Sequence, residues 1–308
     1  MVEPSRTRRI LVTGAGGFVG KHLADAFHGG VFGDSQLVAT PPGFDIRDAA
    51  QTMDLVSRER PDAVIHLAAQ SFVPRSFEDP KETIEINVLG TLNLLQALKA
   101  CGFDGRLIFA SSGDVYGLVP DDALPVDETR VPEPRNPYAV SKVAAEQLCL
   151  QWHRAFGTDV IVVRPFNHIG PGQDARFVLP ALARQVAAIA SGRAGPVIRA
   201  GDIDITRDFT DVRDVVNAYA RLLAAGMAGR TYVVGSGQER RIRDLLHMMC
   251  RIKGIDPDIE QDQQKLRPSE QRRMQANISL IRADTGWMPV IPMEQTLMDI
   301  LEDAEETR

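Results

Sequence analysis

The chain has 308 residues, 44% hydrophobic and 25% charged, with a formal net charge of -6. That is ordinary globular composition, long enough for one large domain and a smaller one, and its acidic balance excludes the basic footprint of a nucleic-acid binder. No apolar run approaches the roughly 20 residues of a membrane span, and the start MVEPSRTRRILVT lacks the apolar stretch of a signal peptide.

Residues 9–13 (RILVT) are a continuous apolar run that ends on glycines, the pattern of a buried strand. A helical pattern follows over 18–27, then a strand at 37–40, a helix at 49–58 and a strand at 63–68 (AVIHLA). A long helix is expected over 83–99, a strand over 106–110, a long helix over 138–156 and a strand over 160–164 (VIVVR). Continuous β-branched runs alternating with helices predict a parallel sheet covered on both faces. The fold class is therefore α/β, a doubly wound parallel sheet.

After Pro165 the texture changes, and Gly, Pro, Asn and Arg crowd the chain as far as Gly201. A helical pattern returns over 210–225. A short strand near 231, a helix at 242–251, a polar connector and a last helix at 293–302 follow. This predicts a second, discontinuous α/β domain built from about 166–205 and 230–308, with 1–165 and about 206–229 forming the first. The three cysteines, Cys101, Cys149 and Cys250, are widely spaced with no C-x-x-C pair. No zinc site is expected, and a reducing, cytoplasmic setting fits best.

Gly14, Gly17 and Gly20 follow the first strand and open the first helix, in the spacing G-x-x-G-x-x-G. Glycine permits a tight turn and close backbone approach, and a helix N-terminus attracts a pyrophosphate. An acidic residue closing the second strand would read a ribose 2′-hydroxyl. Here that place holds Thr40-Pro41-Pro42, which leaves NAD and NADP both open. Just beyond, Asp45 is a candidate acceptor for an adenine amino group and Arg47 a candidate partner for a 2′-phosphate. Asp48 reads equally well as a helix N-cap.

Tyr138 and Lys142 begin a long helix and, four apart, share one face. A phenol has an unperturbed pKa of about 10, and a nearby ammonium favours its ionised form. The pair therefore reads as a tuned general acid/base.

The order of several motifs resembles the extended form of the short-chain dehydrogenase/reductases, the enzymes that modify sugar nucleotides. They are TGAGGFVG (13–20), HLAA (66–69), Asn87 in NVLGT, SSGDVYG (111–117), YAVSK (138–142), RPFNHIGPGQ (164–173), RDFTDVRD (207–214), LRPSE (266–270) and GW-x-P (286–289). The resemblance implies a Rossmann-type first domain that binds NAD or NADP and a smaller substrate domain. It implies that Ser112 binds the reacting oxygen, Tyr138 passes it a proton and Lys142 holds the nicotinamide ribose and lowers the Tyr138 pKa. The implied cofactor contacts are Gly14, Gly17, Phe18, Val19, Gly20, Asp45, Ile46, Leu67, Ala68, Ala69, Asn87, Tyr138, Lys142 and Pro165. The implied substrate contacts are Ser112, Asn167, Arg176, Arg207, Arg267 and Glu270, the arginines for a diphosphate and Glu270 for a ribose hydroxyl. Surface ion pairing is the competing reading for each arginine. His66 reads as a satisfied core histidine and His168 as structural.

Dehydratases of this family resemble one another in carrying acid and base residues after the active-site Thr, as Thr-Asp-Glu or Thr-Ser-Glu. This chain has Ser112-Gly113-Asp114. Glycine cannot protonate a leaving hydroxyl, which weighs against dehydration. The segments RPFNHIGPGQ, RDFTDVRDVV and LRPSE are most similar to reductases of GDP-linked 4-keto-6-deoxyhexoses, which implies hydride delivery to C4 without a metal. A sugar-nucleotide 4-epimerase, a GDP-mannose 4,6-dehydratase and a non-catalytic nucleotide sensor are the alternatives. Arg272 and Arg273 add charge with no assigned role, and Asn277 stands where an Asp is common. The resemblance also implies a homodimer through a four-helix bundle of the helices at 83–99 and 138–156. Leu94, Leu95, Leu148 and Trp152 read either as that interface or as facing the sheet.

Overall fold

The computed structural model describes residues 7–263 and 271–306. Its central sheet is parallel throughout. It contains β1 (Arg9–Thr13), β2 (Gln36–Ala39), β3 (Ala63–His66), β4 (Arg106–Ala110) and β5 (Asp159–Pro165), in the spatial order β2-β1-β3-β4-β5. The order reverses between β1 and β3, the switch point where open α/β sheets leave a crevice beyond the strands' carboxyl ends.

Alternate strand residues supply the two faces. Ile10, Val12, Ile65 and Ile108 enter one core with α1 (Phe18–His28) and the later helix at residues 212–225. Leu11, Val64, Leu107 and Val162 enter the other, against α2 (Ala49–Glu59) and two long helices at residues 90–100 and 137–156. Full burial of such a side chain contributes roughly 1.5–3 kcal/mol, which is why these strands read as uninterrupted apolar runs rather than as alternations.

The helix expected over 83–99 begins earlier and is not uniform. A short helix α3 (Val73–Glu78) leads to α4 (Pro80–Ile84), a π turn (Glu85–Leu89) and α5 (Gly90–Ala100). Asp79 caps α4 through the Glu82 N–H at 2.9 Å, with Pro80 at the first helical position, a start signal that the apolar periodicity alone conceals. Leu94 and Leu95 of α5 face the sheet. Helix α6 (Pro137–Phe156) is capped by the Asn136 side chain on Ala139 N–H.

Beyond Pro165 the chain leaves the central sheet at once. Strands β6 (Asn167–Ile169), β7 (Val197–Ala200), β8 (Thr206–Asp211), β9 (Thr231–Val234), β10 (Glu239–Arg241) and β11 (Asp258–Gln261) follow, with α7 (Val178–Ala190), α8 (Val212–Ala225), α9 (Ile242–Lys253), α10 (Ser279–Thr285) and α11 (Met293–Glu306). Strands β10, β8 and β6 form a small mixed sheet, and β11 pairs with β7. Helices α7, α9 and α11 build another core with β7 and β8, around Leu182, Val186, Leu246, Ile300 and Leu301.

The boundary expected at 229/230 is corrected by β9. It pairs in parallel with β5, Val163 opposite Tyr232, and completes the central sheet. Helix α10 and Trp287 likewise pack on the first core. Tyr232 and Val234 are fully buried there, so the apolar run TYVV is drawn to the sheet edge rather than to the second domain.

The aspartates of RDFTDVRD tie these parts together. Asp208, fully buried, accepts from the backbone N–H of Ser236, Gly237 and Ala276. Asp211 caps α8 and accepts from the Thr296 hydroxyl at 2.8 Å. Asp214 accepts from the N–H groups of Val290 and Ile291. Arg272 and Arg273, without a role in the sequence, pair with Asp202 and Glu239 at 2.9 Å.

Candidate active site

Motifs spread over the chain converge because each follows the carboxyl end of a central strand. Gly14 follows β1, Leu67–Ala69 follow β3, Ser112 follows β4, and Pro165 closes β5. Gly14 has φ +74°, and a Cβ there would lie 2.8 Å from Ala68 N. Only glycine lets the loop turn this close to the chain beyond β3. Gly17 is the N-cap of α1 and offers no side-chain bond, and the first turn of α1 has no acid. The first N–H groups of the helix are thus left for an anion. Phe18 stacks on His168, ring centroids 6.1 Å apart, and Val19 packs on the first core. His168 Nδ1 donates to the Phe166 carbonyl, 3.0 Å away.

Beyond β2, Ile46 is buried and its methyl occupies the space a Cβ on Gly90 would need. Asn93 donates to the carbonyls of Ile46 and Arg47, both at 3.0 Å. Asp45 and Arg47 are paired with each other, Nη2 to Oδ2 at 2.6 Å, and this holds the Asp45 carboxyl below its ordinary range. Asp48 caps α2 through Ala50 and Gln51 N–H.

Tyr138 and Lys142 are both buried on α6. The Lys142 ammonium donates to the Ala110 carbonyl at 2.8 Å, at the end of β4, and lies 5.9 Å from the Tyr138 ring centre. Burial pushes the Tyr138 phenol above its ordinary value and Asp114 adds to the rise, while a hydrogen bond with Ser112 opposes both. The expected depression by Lys142 is absent. The ammonium is engaged by Ala110, and desolvation of the phenolate outweighs the remaining attraction. The phenol accordingly stays protonated at neutral pH, the form a proton donor needs. Lys142 itself is pushed down to about 8 by burial, against an upward pull from Glu146 one turn later.

Ser112 also caps the short turn that follows it, accepting from the Asp114 N–H at 3.1 Å. Asp114 is exposed and accepts from the Asn136 side chain at 2.9 Å. Gly113 is buried beneath Phe166, whose ring carbon would stand 2.8 Å from any Cβ at that position. Sequence reasoning missed Phe166 as the occupant of this space, because its contact with Gly113 is purely tertiary.

Asn167 and Arg207 sit where the chain passes between sheets. Asn167 is exposed at the start of β6, and Arg207 lies on the adjoining β8, donating to the Thr206 carbonyl at 2.7 Å. Arg176 is exposed on the loop before α7. It pairs with Asp174 at 2.9 Å and covers the Phe72 ring at 4.7 Å, so it bridges two loops. Arg267 and Glu270 lie outside the described residues. No described helix is long and apolar enough to cross a membrane.

Comparison with known proteins identifies the family. The sequence pattern of the family described as GDP-mannose 4,6 dehydratase matches residues 42–300. The chain is 50% identical to the GDP-6-deoxy-D-mannose reductase of Pseudomonas aeruginosa, over 97% of this chain and 98% of that one. A solved structure of RMD from Pseudomonas aeruginosa complexed with NADPH superimposes with a TM-score of 0.91 at 49% identity, covering 97% and 99% of the two chains. The UDP-glucose 4-epimerase of Thermus thermophilus complexed with NAD gives 0.84 at 29% identity, over 97% and 100%. The chain belongs to the GDP-mannose 4,6 dehydratase family, within the extended short-chain dehydrogenase/reductases.

Proposed function

We propose that this enzyme reduces the C4 keto group of GDP-4-keto-6-deoxy-D-mannose to give GDP-6-deoxy-D-mannose (GDP-D-rhamnose), with NADPH or NADH as hydride donor. The observation that carries the choice of reaction is Phe166 over Gly113. Elimination of a sugar hydroxyl needs an acid beside the reacting carbon, and the position after Ser112 has neither a side chain nor room for one. Reduction needs only an oxygen site, a proton donor and a hydride. The relative at 50% identity is named for the same product.

The cofactor pyrophosphate would rest on the N–H groups at Gly17–Gly20, with Gly14, Phe18 and Val19 shaping the loop and Asp45 and Ile46 at the adenine. The nicotinamide, which supplies the hydride, would lie past Leu67, Ala68, Ala69 and Asn87 toward Pro165. Lys142 binds its ribose. Ser112 donates to the keto oxygen while Tyr138 gives it a proton, and most of the rate comes from positioning and a preorganised oxygen site. Asn167, Arg176, Arg207, Arg267 and Glu270 would hold the GDP. The guanidinium forks suit phosphate oxygens, although Arg176 must first exchange Asp174 for its ligand. The second domain would close over the sugar nucleotide, and the three free cysteines fit a cytoplasmic protein.

The test offers GDP-4-keto-6-deoxy-D-mannose with NADPH and with NADH. The expected result is stoichiometric oxidation of the cofactor and, by NMR, an equatorial hydroxyl at C4, as the manno configuration of the product requires; an axial hydroxyl would overturn the choice of product. Isomerisation of a sugar nucleotide without net cofactor oxidation would instead identify an epimerase and overturn the proposal.

The self-association we infer places α6 and the helix through the π turn against a second copy. Leu89 and Val140 are exposed on these adjoining elements. Sedimentation at micromolar concentration is expected to give the mass of a dimer, and a monomer there would sink this inference.

A further inference from the structure

A buried chain of hydrogen bonds links the glycine loop to the helix of Tyr138 and runs through Thr13, His66, Thr91 and Ser141, to which the chemistry above gives no part. Its polarity follows atom by atom. The Thr91 hydroxyl has one proton and, at 2.6 Å, donates it to the Asn87 carbonyl. His66 Nε2, 3.0 Å from the same oxygen, must then be a donor. Burial pushes the imidazole pKa down to about 3, so the ring is neutral and Nδ1 accepts, from the Thr13 hydroxyl at 2.6 Å. Thr13 Oγ1 is in turn left to accept from the Ala68 N–H at 3.3 Å. Thr13, His66 and Thr91 are each no more than 1% exposed, which leaves His66 no path to a substrate and no part as an acid or base.

The far end of the chain is Asn87, in the middle of the π turn. Its Oδ1 accepts from the Gln70 N–H at 2.8 Å, and its Nδ2 donates to the Gln70 carbonyl at 3.0 Å and to Ser141 Oγ at 2.8 Å. Ser141 donates to the Tyr138 carbonyl at 2.6 Å. A π turn carries one residue more than the α-helix around it and is rarely stable by itself. Were it to relax by one residue, Asn87 would rotate by about 100° around the helix and lose Gln70 and Ser141 together.

We propose that His66 is a positioning residue, holding the π turn open through Thr91 so that Asn87 fixes the first turn of α6, and with it Tyr138, relative to the glycine loop. This rests on the oxidoreductase reading above. It makes cofactor binding and the placement of the proton donor depend on one buried imidazole.

Thr91 offers the sharper test. Thr91→Val keeps the side-chain outline but removes the hydroxyl that accepts from His66 and donates to Asn87, and Thr91→Ser retains it. Thr91→Val is expected to lower kcat by about 10- to 100-fold and to weaken NADPH binding, followed by the cofactor's fluorescence. KM for the sugar nucleotide should stay near the wild-type value, and Thr91→Ser should resemble wild type throughout. Wild-type kcat and NADPH affinity in Thr91→Val, or equal impairment in Thr91→Ser, would overturn the proposal. The NADPH titration needs no substrate, so it decides the matter even if the wild-type enzyme reduces no keto sugar, a result that would count against the functional reading alone. Nitrogen-15 NMR of the wild-type protein adds a measurement that no folding defect can confuse. His66 should keep the Nε2-protonated neutral form across about pH 5 to 8, where an unperturbed histidine titrates, and a titrating or Nδ1-protonated ring would refute it.

Discussion

Tyr138→Phe is expected to lower kcat by about 10²- to 10⁴-fold, the usual worth of a positioned general acid, with little change in NADPH affinity. The substitution removes one oxygen and leaves the ring in its buried place on α6. Ser112 keeps its cap on the Asp114 N–H, so the proposed oxygen site would survive without the proposed proton donor. The pH profile should separate the parts played by Tyr138 and Lys142. Because burial keeps the phenol above its ordinary range, Tyr138 does not ionise near neutrality. Lys142, lowered from 10.5 to about 8, does. Its charged form prevails below that value and is lost above it. The wild-type kcat/KM is thus expected to fall as pH rises through about 8, from loss of the ammonium proposed to bind the ribose rather than from ionisation of the phenol. A flat profile across that range would show that the charge on Lys142 is not needed, and Tyr138→Phe with wild-type turnover would remove the phenol from the chemistry.

The difference between the expected and observed state of this pair shows where sequence reasoning stops. Spacing alone places Tyr138 and Lys142 on one helix face, and that placement holds. The direction of the phenol's shift depends on how much water reaches it and on where the ammonium points, and both are set by β4 through the Ala110 carbonyl. The glycine loop is legible for the opposite reason. The positive φ of Gly14 and the tight seat of Gly20 are local demands of a strand-to-helix turn, and only one residue type meets them. The strands of the first half announce themselves because both sheet faces are covered. Strand β9 does so too, but its partner β5 is some 70 residues earlier in the chain (Val163 opposite Tyr232), and no local pattern names a distant partner. Asn87 was visible as a motif residue. The π turn that aims it was not, since an extra residue within a helix leaves the apolar periodicity almost unchanged. Gly113 pointed away from dehydration by what it lacks, and the tertiary contact with Phe166 explains why a larger residue has no place there.

Arg164→Met should be the most destabilising single change near the site. Arg164 and Glu146 form a buried ion pair, Nε to Oε1 at 2.9 Å and Nη2 to Oε2 at 2.7 Å, and Nη1 reaches the Tyr116 hydroxyl at 3.1 Å. Glu146 is 0% exposed and Arg164 5%. The pair therefore joins β5, α6 and the turn after Ser112. Removing only the guanidinium leaves a carboxylate in the core without its partner, which costs about 3–5 kcal/mol. In urea unfolding this should appear as a lower midpoint with an unchanged slope. The double variant Glu146→Leu/Arg164→Met replaces both charges by apolar groups of similar size and should recover most of the loss, since buried pairs often add little over a packed hydrophobic alternative. Additive loss in the double variant would contradict this account. Recovery of stability should not restore the wild-type pH profile. Glu146 is the charge that pulls Lys142 upward against burial, so without it the ammonium loses its proton at lower pH and the alkaline limb moves below about 8. A double variant that is stable yet shifted in this direction would mean that the pair serves the charge state of Lys142 more than the stability of the fold, and an unshifted limb would assign it to packing alone.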